Sequence, residues 1–383
     1  MAEARLSQRD LRLALLDRQA LLSRADVSIP ELLERVGGLQ TQYAPSGYVG
    51  LWSRLAGFQR DDLTRALEDR SVIQATLMRG TIHLVSRREF WLYAMGVRRA
   101  RREWWARTNR EAGSLQAMER RDDALRAALK DGPRSVADLG GLASGFVGNI
   151  GLWVDLVRVP PSGTWERRRA NLLGLAEDWV GPNDVTEEEG LAHLVRAYLR
   201  GFGPAPYRDI SSWAGVPVAP LREAGARLDL RHLRDEAGRE VIDIATGTIP
   251  PVDTPVPVRL LPHWDANLLV HARRTEVLPE AYRPRIFSTK VPFSVGTVLV
   301  GGVVVGSWSL RDGRVVIDTF EGLDPPADRE VHEEAERLEA FHALRAASDV
   351  RGRHHVREDI GHHARGVPGR ARGTASDPDR GTP

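Results

Sequence analysis

The chain contains no cysteine, which excludes disulfide bridges and thiolate metal sites at once. Lysine is almost missing too. It stands only at positions 130 and 290, so arginine supplies all but two of the 54 basic residues. Apolar runs of the roughly 18 residues that a membrane span needs do not occur. The first residues, Met1-Ala2-Glu3-Ala4-Arg5, lack the basic-then-apolar order of a secretion signal. Also missing are a Gly-x-x-x-x-Gly-Lys phosphate loop, a Gly-x-Ser-x-Gly nucleophile elbow and a His-Glu-x-x-His zinc motif. These gaps argue against nucleotide-dependent, serine and zinc enzymes. The expectation is a cytoplasmic protein with no metal, no nucleotide cofactor and no membrane partner. Net charge is nearly balanced at +2, so a polyanion would be bound only if the arginines gather on one face. Codon usage in a GC-rich genome explains arginine over lysine without reference to function, yet the planar guanidinium does suit phosphates and base edges.

What is present fits an α+β fold in several units. At 383 residues the chain exceeds one small core. Helical periodicity covers 7–22, with Ser7 as cap, and 30–37, with Pro30 at its first position. Shorter helices are expected over 49–57 and 61–69. A strand over 72–78, a turn at Arg79-Gly80 and a returning strand over 81–85 follow, then a helix carrying Arg98, Arg99, Arg101, Arg102, Trp104 and Trp105. Helices followed by a hairpin make a winged helix, here 1–112, the hairpin being the wing.

The same theme recurs less clearly over 113–183. Helices are expected at 118–130, after Ser135 and over 145–157, and the wing strands at 157–159 and 164–167. Over 184–248, Thr186-Glu187-Glu188-Glu189 is a capping-box signature, and Leu191, Leu194, Val195, Tyr198 and Leu199 form one apolar stripe. Residues 207–214 and 218–228 read as a helix–turn–helix pair. The prolines from 250 to 257 open a β-rich unit, 249–347, whose meander turns at Gly301-Gly302 and Asp312-Gly313 before a helix over 328–346. The tail, 348–383, is rich in Arg, Gly, Pro and His, and is expected to be disordered. Its His354-His355 and His362-His363 pairs are read as solvated residues.

Chemistry centres on Gly38-Leu39-Gln40-Thr41-Gln42, just past a helix. Two amides one residue apart can hold a water or read a base edge, but an amide is no general base. Spacing alone leaves them as ordinary polar residues. Around the wing turn, Arg79, Thr81 and His83 alternate onto one strand face. The arginines from 98 to 110 form either a phosphate-contacting face or a solvated one. Asp265 is an acid beside a turn, able to orient a side chain or a water, or equally to cap the turn or pair with an arginine such as Arg273.

Three blocks, Gly38–Gln42 with Leu51-Trp52-Ser53-Arg54-Leu55, Leu77 to Val85, and Leu260 to Leu269, resemble the AlkZ-like winged-helix DNA glycosylases in order and spacing to about residue 345. The resemblance implies three tandem winged-helix units and a C-terminal barrel-like β unit lining a concave DNA channel. It implies a monofunctional, metal-independent glycosylase that removes N7- or N3-alkylated purines from double-stranded DNA, in some members unhooking interstrand crosslinks. Gln40 and Gln42 would be catalytic, with Asp265 in support. Arg54, Arg79, His83, Arg98, Arg102, Arg273 and Arg274 are the expected DNA contacts. A single chain holds enough units for the channel, so a monomer is expected. The rival is a winged-helix protein that binds DNA without chemistry, as a regulator or by sequestering damage.

Overall fold

Local capping signals place the first helices. Ser7 and Asp10 close a reciprocal capping box on Gln8–Arg18, and Ser28 and Glu31 do the same for Ile29–Val36, whose first turn holds Pro30. In this computed structural model the described residues are 5–108, 115–143, 152, 154–269, 277–287 and 294–343. The tail and its histidine pairs lie outside them, as does most of the helix expected over 145–157. Residues Met1–Leu344 fall in one compact α+β unit.

The hairpin expected as the wing of the first unit lies in the middle of a sheet. Val72–Thr76 and Ile82–Ser86 pair antiparallel, and Val72–Thr76 also pairs with Leu156–Arg158. The resulting six-stranded sheet runs in the order Leu39–Gln40, Ile82–Ser86, Val72–Thr76, Leu156–Arg158, Leu172–Leu175, Arg134–Ser135. Nearly every residue of the central hairpin is buried, because helices cover it where solvent was expected. Two further boundaries differ from expectation. The second hairpin returns at Leu172–Leu175 and not at 164–167, the intervening arginines 167–169 being exposed loop. The helix expected over 49–57 is Ala44–Trp52, since Pro45 in a first turn starts a helix and does not break it.

Thr186 and Glu189 box the start of Glu187–Phe202, whose buried stripe includes His193, Leu194, Ala197 and Tyr198. This helix crosses Phe90–Thr108 at Gly96 and Gly190. A Cβ on Gly190 would sit 2.4 Å from the Gly96 nitrogen, so only glycine permits the approach. The helix–turn–helix pair is Tyr207–Ala214 and Val218–Gly225. A hairpin of Leu230–Asp235 and Glu240–Ile244 follows, and Arg5–Leu6 adds to it in parallel. The C-terminal sheet orders Arg259–Leu261, Gly296–Val300, Val303–Arg311 and Arg314–Thr319, all antiparallel, with both tight turns where expected. Pro325–Ala343 closes it, burying Val331, Leu338 and Phe341 in the cluster that holds Trp52, Phe58 and Trp165. Among the described residues no helix is long and apolar enough to cross a membrane.

Candidate active site

Two consecutive glycines set the motif. Gly37 (φ 78°) caps Ile29–Val36 in the left-handed region and Gly38 (φ 77°) continues the turn, delivering the chain into the two-residue edge strand Leu39–Gln40. A Cβ on Gly38 would meet the Leu84 carbonyl at 3.0 Å, so the turn is tight against its partner strand. Gln40 pairs with His83, and Thr41 donates its N–H to the Ile82 carbonyl at 2.8 Å. Gln40 is 8% exposed, whereas Gln42, just past the strand, is exposed.

Each amide is held by its oxygen. The Arg79 guanidinium donates from Nη2 to Gln40 Oε1 at 2.6 Å, and the Ile82 N–H donates to Gln42 Oε1 at 3.1 Å. Both partners are pure donors, so chemistry fixes which end of each amide faces them. Among the described residues neither Nε2 has a hydrogen-bond partner. The groups left to act are therefore two N–H₂ donors and the second lone pair of each oxygen.

Arg79 carries this arrangement. Its Nη1 donates to the Trp213 carbonyl at 2.6 Å, tying the glutamine motif to the helix–turn–helix pair. Its backbone sits at φ 53°, a left-handed conformation that a non-glycine residue adopts only under constraint from its surroundings. Burial lowers its pKa to about 10, leaving a desolvated cation that is still charged near neutrality. His83, fully enclosed, is driven down to about 3, first by desolvation and then by the Arg79 charge. Its Nδ1 lies 2.9 Å from the Thr81 carbonyl, which can only accept, so the neutral ring carries its proton there. Among the described residues no titratable base is hydrogen-bonded to either amide.

Several expected DNA contacts have other partners. Arg54 is 0% exposed and bonds both carboxylate oxygens of Asp265 at 3.1 and 3.0 Å, and also Gln19 Oε1 and the Gly50 carbonyl. Asp265 further accepts from the Asn267 backbone and side chain. Arg54, expected as a DNA contact, and Asp265, expected as a catalytic group, thus form a buried ion pair with each other. His83, also expected to contact DNA, is likewise buried. Arg98 pairs with Asp155, and the Nε of half-buried Arg102 donates to the Leu152 carbonyl, so both fasten their helix to Leu152 and Asp155. Arg273 and Arg274 lie outside the described residues.

Sequence reasoning missed the loop that does present cations near the motif. Arg167, Arg168 and Arg169 are all exposed, and Arg168 donates to the Tyr43 hydroxyl at 3.1 Å, beside Gln42. Tyr43 stands edge-on to His263, the ring centroids 6.0 Å apart. The three-arginine run was visible in the sequence, but its closeness to Gln42 depends on a hairpin whose return strand was misplaced. Among the described residues no three metal-ligating side chains converge.

The family model described as DNA glycosylase AlkZ-like matches residues 33–341, most of the chain. This chain belongs to the AlkZ-like DNA glycosylase family. Among its relatives is an interstrand DNA cross-link repair glycosylase of Streptomyces sahachiroi, 23% identical, the match covering 87% of this chain and 94% of that protein. The solved structure of Streptomyces sahachiroi DNA glycosylase AlkZ superposes with a TM-score of 0.75 at 19% identity, over 88% of this chain and 98% of that one. The AlkZ-like fold thus extends well beyond the glutamine motif, to the C-terminal sheet.

Proposed function

We propose that this AlkZ-like protein hydrolyses the N-glycosidic bond of purines alkylated at N7 or N3 in double-stranded DNA, and that Gln40 and Gln42 hold the attacking water. The observation that carries the reading is the make-up of the motif: two amides pinned at their oxygens, one exposed, with no titratable base bonded to either among the described residues. Such a site cannot deprotonate a water strongly. It can work only where the leaving group is already activated.

An alkylated purine meets that requirement. Its positive charge draws in the C1′–N9 bonding electrons, so the base departs neutral and the sugar becomes an oxocarbenium cation. Water adds to C1′ and releases its proton to solvent, leaving an abasic site and the free alkylpurine. An Nε2–H can donate to one lone pair of the water while the other faces C1′, and the free lone pair of an Oε1 can accept a water proton. Arg79 acts as the positioning residue that fixes Gln40, not as a phosphate contact. Arg167, Arg168 and Arg169 take the phosphate role instead, and affinity should fall steeply with salt. Three winged-helix units and the C-terminal β unit around a DNA channel, in a monomer, complete the proposal. An open channel in place of a tight flipping pocket would also admit a crosslinked base, as in the relative named for cross-link repair.

The test is release of free 7-methylguanine, with an abasic site left behind, from a duplex incubated with excess protein. Binding without release over hours supports the non-catalytic rival. Release that persists after Gln40→Ala and Gln42→Ala together removes the glutamines from the mechanism.

A further inference from the structure

One helix end touches the glutamine motif from two sides. Tyr207–Ala214 finishes at Gly215, whose left-handed backbone (φ 72°) caps it. In its last turn the Trp213 carbonyl accepts from Arg79 Nη1 at 2.6 Å, while Arg79 Nη2 holds Gln40 Oε1. The Trp213 ring reaches the other side. A Cβ on Gly37, the residue that turns the chain toward Gln40, would lie 3.6 Å from the Trp213 Cζ2. Tyr93, Tyr198 and Phe202 pack around that ring, at centroid distances of 6.2, 5.5 and 6.2 Å, and Trp213 is 1% exposed. A side chain enclosed in this way has little freedom to shift.

Gly215 completes the arrangement. A Cβ built there would stand 3.2 Å from both the Cα and the N of Arg79. Arg79 is itself left-handed, so two left-handed residues from distant parts of the chain lie backbone against backbone. A side chain at position 215 would force them apart. On the other side of the turn, Ser211 Oγ donates to the Val216 carbonyl at 2.6 Å and fixes its shape. In a helix–turn–helix that reads DNA the second helix enters the groove. Here the end of the first helix and the turn have a partner within the protein. We propose that this turn is the positioning element for Gln40. Trp213 holds the entry to the motif with its ring and the Arg79 fork with its carbonyl, and Gly215 sets where the Arg79 backbone sits. The inference rests on the reading of Gln40 as a group that acts in base release. It deepens that reading by making Trp213 and Gly215 positioning residues of the same site.

The test is Gly215→Ala in the full chain. Its new methyl group requires Arg79 to give way by a few tenths of an ångström. Since a misplacement of about 1 Å can cost on the order of a hundredfold, single-turnover release of 7-methylguanine should fall at least about threefold, with DNA affinity unchanged. Gly238→Ala is the control. It puts alanine on the same kind of backbone (φ 76°) where nothing lies within 4 Å, and should release base at the wild-type rate. In an Arg79→Met background Gly215→Ala should cost nothing further, because its route to Gln40 is gone, whereas a general loss of structure would multiply. Ser211→Ala, which deletes one hydroxyl and loosens the turn, should show the same pattern with a smaller loss, and carries the test if Gly215→Ala does not fold. A readout independent of catalysis is the nitrogen–proton spectrum of the Gln40 side-chain amide, assigned by its loss in Gln40→Ala. Its signals should move in Gly215→Ala and stay in place in Gly238→Ala. Unmoved signals in Gly215→Ala overturn the inference, as do full release rates or losses that multiply with that of Arg79→Met. Wild-type protein that releases no 7-methylguanine overturns the glycosylase reading, and the amide spectrum then decides the positioning role by itself.

Discussion

Arg79→Met separates two roles for one arginine. If Arg79 positions Gln40, the substitution removes the 2.6 Å guanidinium bond to Gln40 Oε1 and frees the amide to rotate. A hydrogen bond to a charged group contributes roughly 1.5–3 kcal/mol, and each 1.4 kcal/mol is about tenfold in rate, so release should slow by roughly 10- to 150-fold. The loss belongs in the single-turnover rate at saturating enzyme, because the guanidinium is spent on Gln40 and the Trp213 carbonyl and acts by holding the motif. If Arg79 instead met a phosphate, the rate would hold and affinity would fall, with the slope of log affinity against log salt shallower by about 0.9. The assay is therefore 7-methylguanine release with enzyme in excess, run beside binding titrations across a salt series. Arg79→Lys sharpens it. A single ammonium cannot reproduce the fork that reaches both Gln40 and the Trp213 carbonyl, so most of the loss should remain although the charge is kept. An unchanged single-turnover rate in Arg79→Met, together with a reduced salt slope, refutes the positioning role.

Arg54→Met should destabilise the fold by roughly 3–5 kcal/mol, seen in the denaturant midpoint, because it strands Asp265 as a buried unpaired charge. If Asp265→Asn slows base release in protein that is fully folded, the assignment of Asp265 to structure is wrong. Gly190→Ala should lower the melting temperature, since its new methyl group meets the Gly96 backbone and the two helices must separate; an unchanged melting curve contradicts that crossing. His83 and His193, each depressed from 6.5 to about 3 with burial as the leading cause, stay neutral in the fold and protonate in the unfolded chain. Their contribution is intact above pH 6.5 and is lost as pH falls from 6.5 toward 3, each adding up to about 1.4 kcal/mol per pH unit to the slope. His83→Gln should flatten the slope by about one proton. Base release itself should be level from pH 6 to 9, where His83 is neutral and Arg79 charged.

Local chemistry was legible in this chain and distant pairing was not. Ser7, Ser28 and Thr186 announced their helices because a cap bonds to residues three positions away, within the same stretch of sequence. The glycine pairs and Asp312-Gly313 announced their turns for the same reason. Residue types indicated a strand over 72–78, found at Val72–Thr76, but nothing local says that its second neighbour is Leu156–Arg158, some eighty residues on. A hairpin was therefore read as a wing without its place in the middle of a six-stranded sheet. Arginine misled in a related way. The residue type implies surface, yet Arg54, Arg101 and Arg158 are directed inward, where carbonyls, a hydroxyl or a carboxylate meet the guanidinium. The motif itself was found from the order of its residues. The orientation of its amides depends on Arg79 in a left-handed turn, which no spacing rule predicts.

A buried cation beside a motif meant to work on cationic lesions looks like a contradiction, and its resolution gives a last prediction. While the alkylated purine is attached, its charge and that of Arg79 repel. As the C1′–N9 bond breaks, the bonding electrons neutralise the base, and the positive charge moves to a sugar flanked by two phosphates. If the base is seated on the Arg79 side, that fixed cation raises the energy of the bound lesion more than that of the transition state. Repulsion is relieved along the reaction, a rate benefit obtained without any general acid. A neutral adduct gains nothing from this and would need protonation, for which no carboxylic acid or imidazole among the described residues is bonded to either amide. Release of 7-methylguanine should proceed at rates where a neutral lesion such as 1,N⁶-ethenoadenine, in the same sequence context, shows no release above background. Comparable rates for the two would mean that an acid acts at the site, and that electrostatic relief through Arg79 is not how the bond is broken.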